Sequence, residues 1–345
     1  MTMNIWQVAA GDGGRDYPDV FLQYGVMLIG PGTVSGDYRK NKDAYNNPDN
    51  RTTYHPAMRL FADEAAEKDL VVLKRPRGTK WEAVAVGKIN SGYSFEPVFS
   101  DVEGFQLQHC RHVEWKQPTR ETLIRGLGRG RFSHVNNERA REAVERLWKE
   151  GKREKSDPIP HDPKKVSHDE LIDSLTVKGL PGPNAKRIAK EIERLRHLAK
   201  WYEKNDENYD VREHETRTFL IVPLIMSLGW DEEKVKIEWE HKDVALFDAP
   251  YSPQSKPLVI IESKRLWDGL GYAPEQAERY AGQYKTCDRF VVSDGIRYKL
   301  FTKPKPDRKF RFSAYLNLLI PTRNHPYEPG VGGAVSFLWK MNPDC

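Results

Sequence analysis

Apolar residues in the first 130 or so positions recur in short blocks broken by glycine and proline. IWQVAAG, VMLIG, DLVVLKR, WEAVAVGKI and QHCRHVEWK each have the length and the β-branched or aromatic content of a strand. This pattern predicts a small twisted β-barrel. From Arg120 to Gly151 the period lengthens. ERAREAVERLWKEGK sets Ala140, Val144, Leu147 and Trp148 on one helix face, so a first domain is expected over 1–150. The stretch KREKSDPIPHDPKKVSH combines proline and charge with few apolar residues, the composition of a linker, taken as 151–166.

Ser167 and Glu170 have capping-box spacing and open the helix HDELIDSL, the start of a helical connector over 167–207. KGLPGPNAKRIAKEIERL is then a turn and a helix that runs on through RLRHLAKWYEKN. Its Gly-Leu-Pro-Gly turn resembles the turn of helix-hairpin-helix elements, whose backbone amides hold a DNA phosphate. A plain helix start after a glycine turn accounts for the same letters. Over 208–345 the pattern is αβββαββ. ETRTFLIVPLIMSLGW reads as a helix, VKIEWE, DVALFDA and PLVIIESK as strands, PEQAERYAGQYK as a helix, and DRFVVSDG and YKLFTK as closing strands.

Alternation along the third of those strands places Glu262 and Lys264 on one face and Ser263 on the other, at the end of the apolar run PLVII. Charges that end a buried strand are costly unless paired or bound to metal. Asp243 begins the neighbouring strand. Two carboxylates and the Ser263 backbone carbonyl would suit magnesium, with manganese as a substitute. Lys264 would orient or help deprotonate an attacking water and offset charge on a phosphorane, which matches phosphodiester hydrolysis. Taken alone, Glu-x-Lys is also a common pattern of solvated strand edges.

Over residues 215 to about 301 the order Glu215-Thr-Arg217, PLIMSLGWD, Asp243, PLVIIESKR, Gln276-Ala-Glu-Arg-Tyr280 and VVSDGIRYKLF is similar to the nuclease domain of type I restriction motor subunits, within the PD-(D/E)XK superfamily. That resemblance implies an α/β restriction-endonuclease-like C-terminal domain in which Asp243, Glu262 and Lys264 are catalytic. It also implies that Glu215 is an auxiliary acid near the metal and that Gln276 and Tyr280, one helical turn apart, support the site. Lys242 stands where the family often has Pro or Val.

Softer motifs cover the first 135 or so residues. IWQVAAGDGGRDYPDVFLQYGVMLIGPG, AVAVGKINSGYSFEP, CRHVEWK and TRETLIRGLGRG together resemble the PUA-like N-terminal domain of Mrr-type, modification-dependent (type IV) restriction proteins. Related EVE, SRA and YTH folds hold a flipped or single-stranded base in an aromatic pocket, which implies an α+β reader of modified DNA bases. Trp6, Arg15, Tyr24, Trp81, Tyr93 and Phe95 are the candidate base contacts by chemistry, although barrel aromatics are more often core. Gly30-Pro31 stands where many relatives carry a tryptophan.

Composition adds limits. Hydrophobic residues at 38% and aromatics at 11% suffice for packed cores. The apolar run 219–228 is far shorter than the roughly 20 residues that cross a bilayer, and the start MTMNIWQVAAGDGG lacks the charged n-region and apolar core of a signal peptide. Cys110, Cys287 and Cys345 are far apart with no CxxC, which with the previous point gives the expectation of a cytoplasmic protein. No GxxxxGK[ST] occurs, so no nucleotide cofactor is expected. The net charge of +5 hides 55 basic and 50 acidic residues; Lys74–Arg77, Arg125–Arg131, Lys152–Lys155 and Lys303–Arg311 are clusters suited to phosphate.

The combined expectation is a modification-dependent endonuclease acting on double-stranded DNA in phage defence, as a homodimer because two strands need two active sites. The alternatives are a structure-specific repair nuclease without modification sensing, and a non-catalytic nucleic-acid-binding adaptor.

Overall fold

The computed structural model of the chain describes all residues except 1–2, 13–14, 31–35, 47–54, 78–79, 103, 121, 206–210, 267–269, 271–272, 305–308 and 345; the side chains of 12, 15, 16, 46 and 55 are also left aside. The chain forms two compact units, Met1–His161 and Asp162–Cys345. Both mix helix and sheet.

In the first unit the sheet curls into a half-barrel. Its strands are β1 (Ile5–Ala9), β2 (Val26–Ile29), β3 (Leu70–Arg77), β4 (Lys80–Ile89), β5 (Ser94–Phe95), β6 (His109–Gln117), β7 (Thr122–Ile124), β8 (Phe132–His134) and, after helix α1 (Glu138–Glu150), β9 (Lys152–Arg153). The main path runs β8-β1-β3-β4-β6-β9, with β2 and β5 pairing β6 and β7 pairing β4. Only β1 and β3 run parallel among these pairs. Each expected strand is present. Gly87 lets the sheet curl, because a Cβ there would collide with Val113 and Trp115 on the neighbouring strand.

Helix α1 is capped by the Asn137 side chain, which accepts from Ala140 N at 3.0 Å. Its Ala140, Val144 and Leu147 recur at helical spacing and pack on Ile5, Leu70, Val72 and Val86, with Trp148 half-buried beside them. Each fully buried Val or Leu there contributes roughly 1.5–3 kcal/mol. The stretch after α1 departs from a free linker at its start: Lys152 and Arg153 add a short strand to β6, and Asp157 N donates to Gln23 O.

The second unit begins with α2 (His168–Val177), whose capping box is formed as expected by Ser167 and Glu170, and α3 (Gly182–Asn205). A continuous helical run follows: α4 (Glu213–Thr216), a π-helical turn (Arg217–Ile221) and α5 (Val222–Ser227). The sheet then takes β10 (Val235–Trp239), β11 (Lys242–Leu246), β12 (Val259–Ser263), helix α6 (Ala273–Ala281), β13 (Arg289–Ser293), β14 (Arg297–Thr302) and β15 (Arg311–Asn317), and α7 (Ala334–Met341) closes the unit. Strand order follows sequence order, and among the described residues only β12 and β13 are parallel.

The helices 167–205 do not stand apart from the sheet. Leu171, Leu175, Ile188, Ile192 and Leu195 share one core with Leu220, Leu224, Val244, Ile261, Val291 and Phe337. The other sheet face is covered by α6 through Ala273, Ala277 and Ala281 against Ile260, Phe290 and Val292. Burial on both faces explains why PLVII is unbroken apolar sequence. Strand β15 and helix α7 lie beyond the αβββαββ pattern. Among the described residues no helix is long and apolar enough to cross a membrane, and Cys110 and Cys287 are free buried thiols.

Candidate functional site

The antiparallel register of β11 and β12 pairs Val244 with Ile261. One rung further along, Asp243 and Glu262 come opposite each other. On the other side, β10 and β11 pair Ile237 with Val244 and Trp239 with Lys242, which sets Glu238 opposite Asp243. Three carboxylates therefore line up across adjacent strands. Like charges in such positions repel, and the chain supplies a cation for each gap. Arg217, 6% exposed, donates from one guanidinium nitrogen to Asp243 Oδ1 at 2.8 Å and from another to Glu238 Oε1 at 2.7 Å. Lys264 Nζ donates to Glu262 Oε1 at 2.7 Å.

Asp243 Oδ2 accepts the Ser263 backbone N–H at 2.6 Å, which draws the end of β12 onto the start of β11. Asp243, Glu262, Ser263 and Lys264 are thus brought together. The Ser263 hydroxyl points to the opposite face, is fully buried and has no hydrogen-bond partner among the described residues.

Glu262 is 3% exposed. Burial raises its carboxyl above the usual range; Lys264 pulls it back, and Asp243 and Glu213 push it up further. For Lys264 burial works against the charge, yet Glu262, with Glu213 and Asp243, outweighs it and holds the ammonium above its ordinary value. In this arrangement Lys264 is a held cation. It can steady developing negative charge, whereas taking a proton from water, the other role expected for it, would first require the pair to break.

The helix-borne acid also differs from expectation. Glu215 accepts the Arg212 backbone N–H at 3.0 Å and completes a capping box at the start of α4. Glu213 is the acid whose charge bears on both Glu262 and Lys264. A signal for this existed in the sequence: Glu213 and Arg217 are four apart and share a helix face, while Glu215 is turned away from it.

Gln276 and Tyr280 are half-buried on α6, with Tyr280 packed against the core of that face. Tyr280 meets the site through Lys242, which is 4% exposed. Lys242 Nζ lies 4.9 Å from the Trp239 ring centre, 5.3 Å from Tyr284 and 5.7 Å from Tyr280. This aromatic surround lets a lysine stand buried beside Asp243. In the sequence Lys242 stands out only as a departure from the family pattern, and no motif marks Glu213, Glu238 or the ion-pairing role of Arg217.

As donors, Asp243 and Glu262 fit a hard divalent cation. The carboxyl of Glu262, raised by burial and neighbouring acids, is a deficit that added positive charge would relieve. Asp243 and Glu262 would hold the ion, and Ser263 lies beside them. Among the described residues no three or more His, Cys, Asp or Glu side chains are grouped as a ready metal site. Arg217 and Lys264 supply the positive charge instead.

In the first unit the candidate base contacts separate. Trp6 is 0% exposed, stacked on Phe132 and His134 and tied through Nε1 to Asp69 at 2.9 Å. Tyr24 is buried against Phe99. Tyr93 is buried with its hydroxyl 2.8 Å from His109 Nδ1. These three are core side chains, a correction that follows from their lack of exposed surface. Phe95 is half-buried, edge-on to His109. The Arg15 side chain lies outside the described residues.

Trp81 is half-buried, with Lys74 Nζ 4.1 Å from its ring centre. Lys74 is fully buried and donates to Gln7 Oε1 at 3.2 Å and to Gly128 O; burial lowers its pKa to about 8. It therefore fastens the 125–131 loop. Arg75 and Arg77 pair with Glu82 at 3.0 and 3.5 Å. The Lys74–Arg77 cluster is thus partly neutralised from within, while 305–308 of the Lys303–Arg311 cluster lie outside the described residues.

No protein-family model and no curated protein sequence matches the chain.

Proposed function

We propose that this chain is a metal-dependent DNA endonuclease of the modification-dependent, PD-(D/E)XK kind, with the first unit as a PUA-like sensor of altered bases. One observation carries the reading: Asp243, Glu262 and Lys264 meet at the ends of adjacent strands, with a backbone amide bonded to Asp243. Magnesium, or manganese in its place, would neutralise the two carboxylates and polarise the phosphodiester. Lys264 would counter charge as it develops on the phosphorane, and Glu213 would add to the field that draws the cation. Trp81 and Phe95 remain the aromatic candidates for base contact. A homodimer in the cytoplasm, each copy cutting one strand, is part of the same proposal.

The test is cleavage of matched duplexes, unmodified or carrying 5-methylcytosine, hydroxymethylcytosine, glucosylated hydroxymethylcytosine or N6-methyladenine, by wild type and Lys264→Ala with magnesium. Selective cutting of one modified duplex, lost in the variant, supports both halves of the reading. Equal cutting of all, branched DNA included, removes the sensor and favours a repair nuclease.

A second reading, a nucleic-acid-binding adaptor on a non-catalytic nuclease fold, is favoured by one observation. Arg217 already neutralises Asp243 at 2.8 Å. Duplex binding with no cutting under magnesium or manganese would select it.

A further inference from the structure

The hairpin that joins β10 to β11 has a two-residue loop, since Trp239 pairs with Lys242. Both loop residues have positive φ, +46° at Glu240 and +66° at His241, and Glu238 just before them has +54°. A two-residue hairpin turn with both φ angles positive is the type that Asn-Gly or Gly-Gly fill without strain. This chain builds it from Glu-His. Histidine tolerates the left-handed region better than most residues, but glycine enters it at no cost.

Glu240 has a structural reason to be there. Its carboxylate accepts the Tyr284 hydroxyl at 2.7 Å, and its carbonyl accepts Lys242 Nζ at 2.9 Å. His241 has none of this kind. The ring is exposed, and among the described residues nothing hydrogen-bonds or ion-pairs with it. It lines a cleft of about 740 Å³ together with Arg212, Glu213, His214, Arg217, Glu238, Lys242 and Asp243. The cleft opens directly on the candidate site through Asp243. A left-handed position filled by a side chain with no hydrogen-bond or ion-pair partner among the described residues, at the wall of such a cleft, points to a ligand.

We infer that His241 contacts the phosphodiester backbone of the nucleic acid strand beside the reacting phosphate, with the cleft as the seat of that strand. The inference rests on the nuclease reading and adds a substrate-binding residue to it. A ring N–H is a phosphate donor, and Arg212 and His214 put further donors on the cleft wall. The three acids among the lining residues account for a cleft that would take a polyanion best once a divalent cation is present.

The test uses the full chain with His241→Gly and His241→Arg. Glycine relieves the turn and should raise the melting temperature of the second unit by about 2–4 °C. It should also weaken binding of a fluorescently labelled duplex, measured with calcium to suppress cutting, by about tenfold. Where magnesium supports cutting, the loss should fall on KM, with kcat within about twofold of wild type. His241→Arg should restore binding without the thermal gain. Unchanged binding in His241→Gly overturns the inference while leaving the nuclease reading intact. A wild type that binds but never cuts removes the nuclease reading, and the binding comparison still decides the role of His241. A wild type that neither binds nor cuts removes both.

Discussion

Arg217 holds Asp243 through a 2.8 Å hydrogen bond and, with its other nitrogen, restrains the Glu238 that the strand register sets opposite. The guanidinium makes that juxtaposition of carboxylates tolerable. Arg217→Met should therefore cost about 2–4 kcal/mol, less than for a fully buried pair because Glu238 is largely exposed and Asp243 partly so. Magnesium should recover part of that loss, because Asp243 Oδ1 is freed and ion binding to the folded state adds stability. Thermal melts of wild type and variant, with and without millimolar magnesium, check this. A variant that magnesium stabilises no more than wild type would show that Asp243 is not a ligand.

Glu213 and Glu215, two residues apart, divide their labour by helix geometry. Glu215→Ala should remove the α4 cap and cost about 1 kcal/mol while DNA cleavage persists. Glu213→Ala should lower cleavage by about tenfold or more, since its charge acts on Glu262 and Lys264. Kinetics and melts of the two variants side by side separate the roles. The opposite outcome, cleavage lost in Glu215→Ala alone, would restore Glu215 as the auxiliary acid.

The strands and helices around this site were legible because period 2 and period 3.6 carry through the sequence wherever one face is buried. PLVII, running into Glu262-Ser-Lys264 with Asp243 on the preceding strand, marked a buried strand ending in charge, and the structure builds it so, with both faces covered. The Ser167–Glu170 capping box and the face of α1 were equally readable. Side-chain choice between close alternatives was not. Trp6 and Trp81 have the same letter, and only the Asp69 bond and the stacking on Phe132 and His134 set the fully buried ring apart from the half-buried one. The ion pairs of Arg217 depend on strand register, which a single strand's pattern does not reveal. The helices 167–205 read as a connector because their charged faces are visible in sequence, whereas the partner of their apolar faces is not.

Burial gives the first unit a pH response. His109 is 0% exposed, held between the hydroxyls of Tyr93 at 2.8 Å and Tyr45 at 3.2 Å, with Phe95 at its edge and Asp37 reached through Tyr93. Desolvation lowers its pKa to about 4 despite the pull of Asp37. The unfolded chain, near 6.5, binds the proton more tightly, so stability is intact above that value and falls as pH drops from 6.5 toward 4. The loss is on the order of 3 kcal/mol. His109→Gln should flatten melting temperature against pH in that window. Asp63 and Glu82, whose carboxyls are lowered, lose their contribution only at lower pH. A slope unchanged by the substitution would mean that the ring is charged in the folded protein.

Lys264 and Glu262 offer a way to separate chemistry from charge balance. Lys264→Met should reduce cleavage at least about a hundredfold. It also leaves Glu262, 3% exposed, without its 2.7 Å partner, and burial together with Asp243 and Glu213 then pushes that carboxyl further above its usual range. A raised carboxyl favours the folded state at pH below the unfolded value, and that advantage is lost as pH rises through the folded value. The single variant should thus be near wild-type stability in acid and weaker by about 1–3 kcal/mol at neutral pH, a range reduced for the partial exposure of Lys264. Adding Glu262→Gln should return the neutral-pH stability and leave cleavage absent. If Lys264→Met instead keeps its neutral-pH stability, the pair contributes little to the fold. If the double variant still cuts DNA, Glu262 is not part of the chemistry.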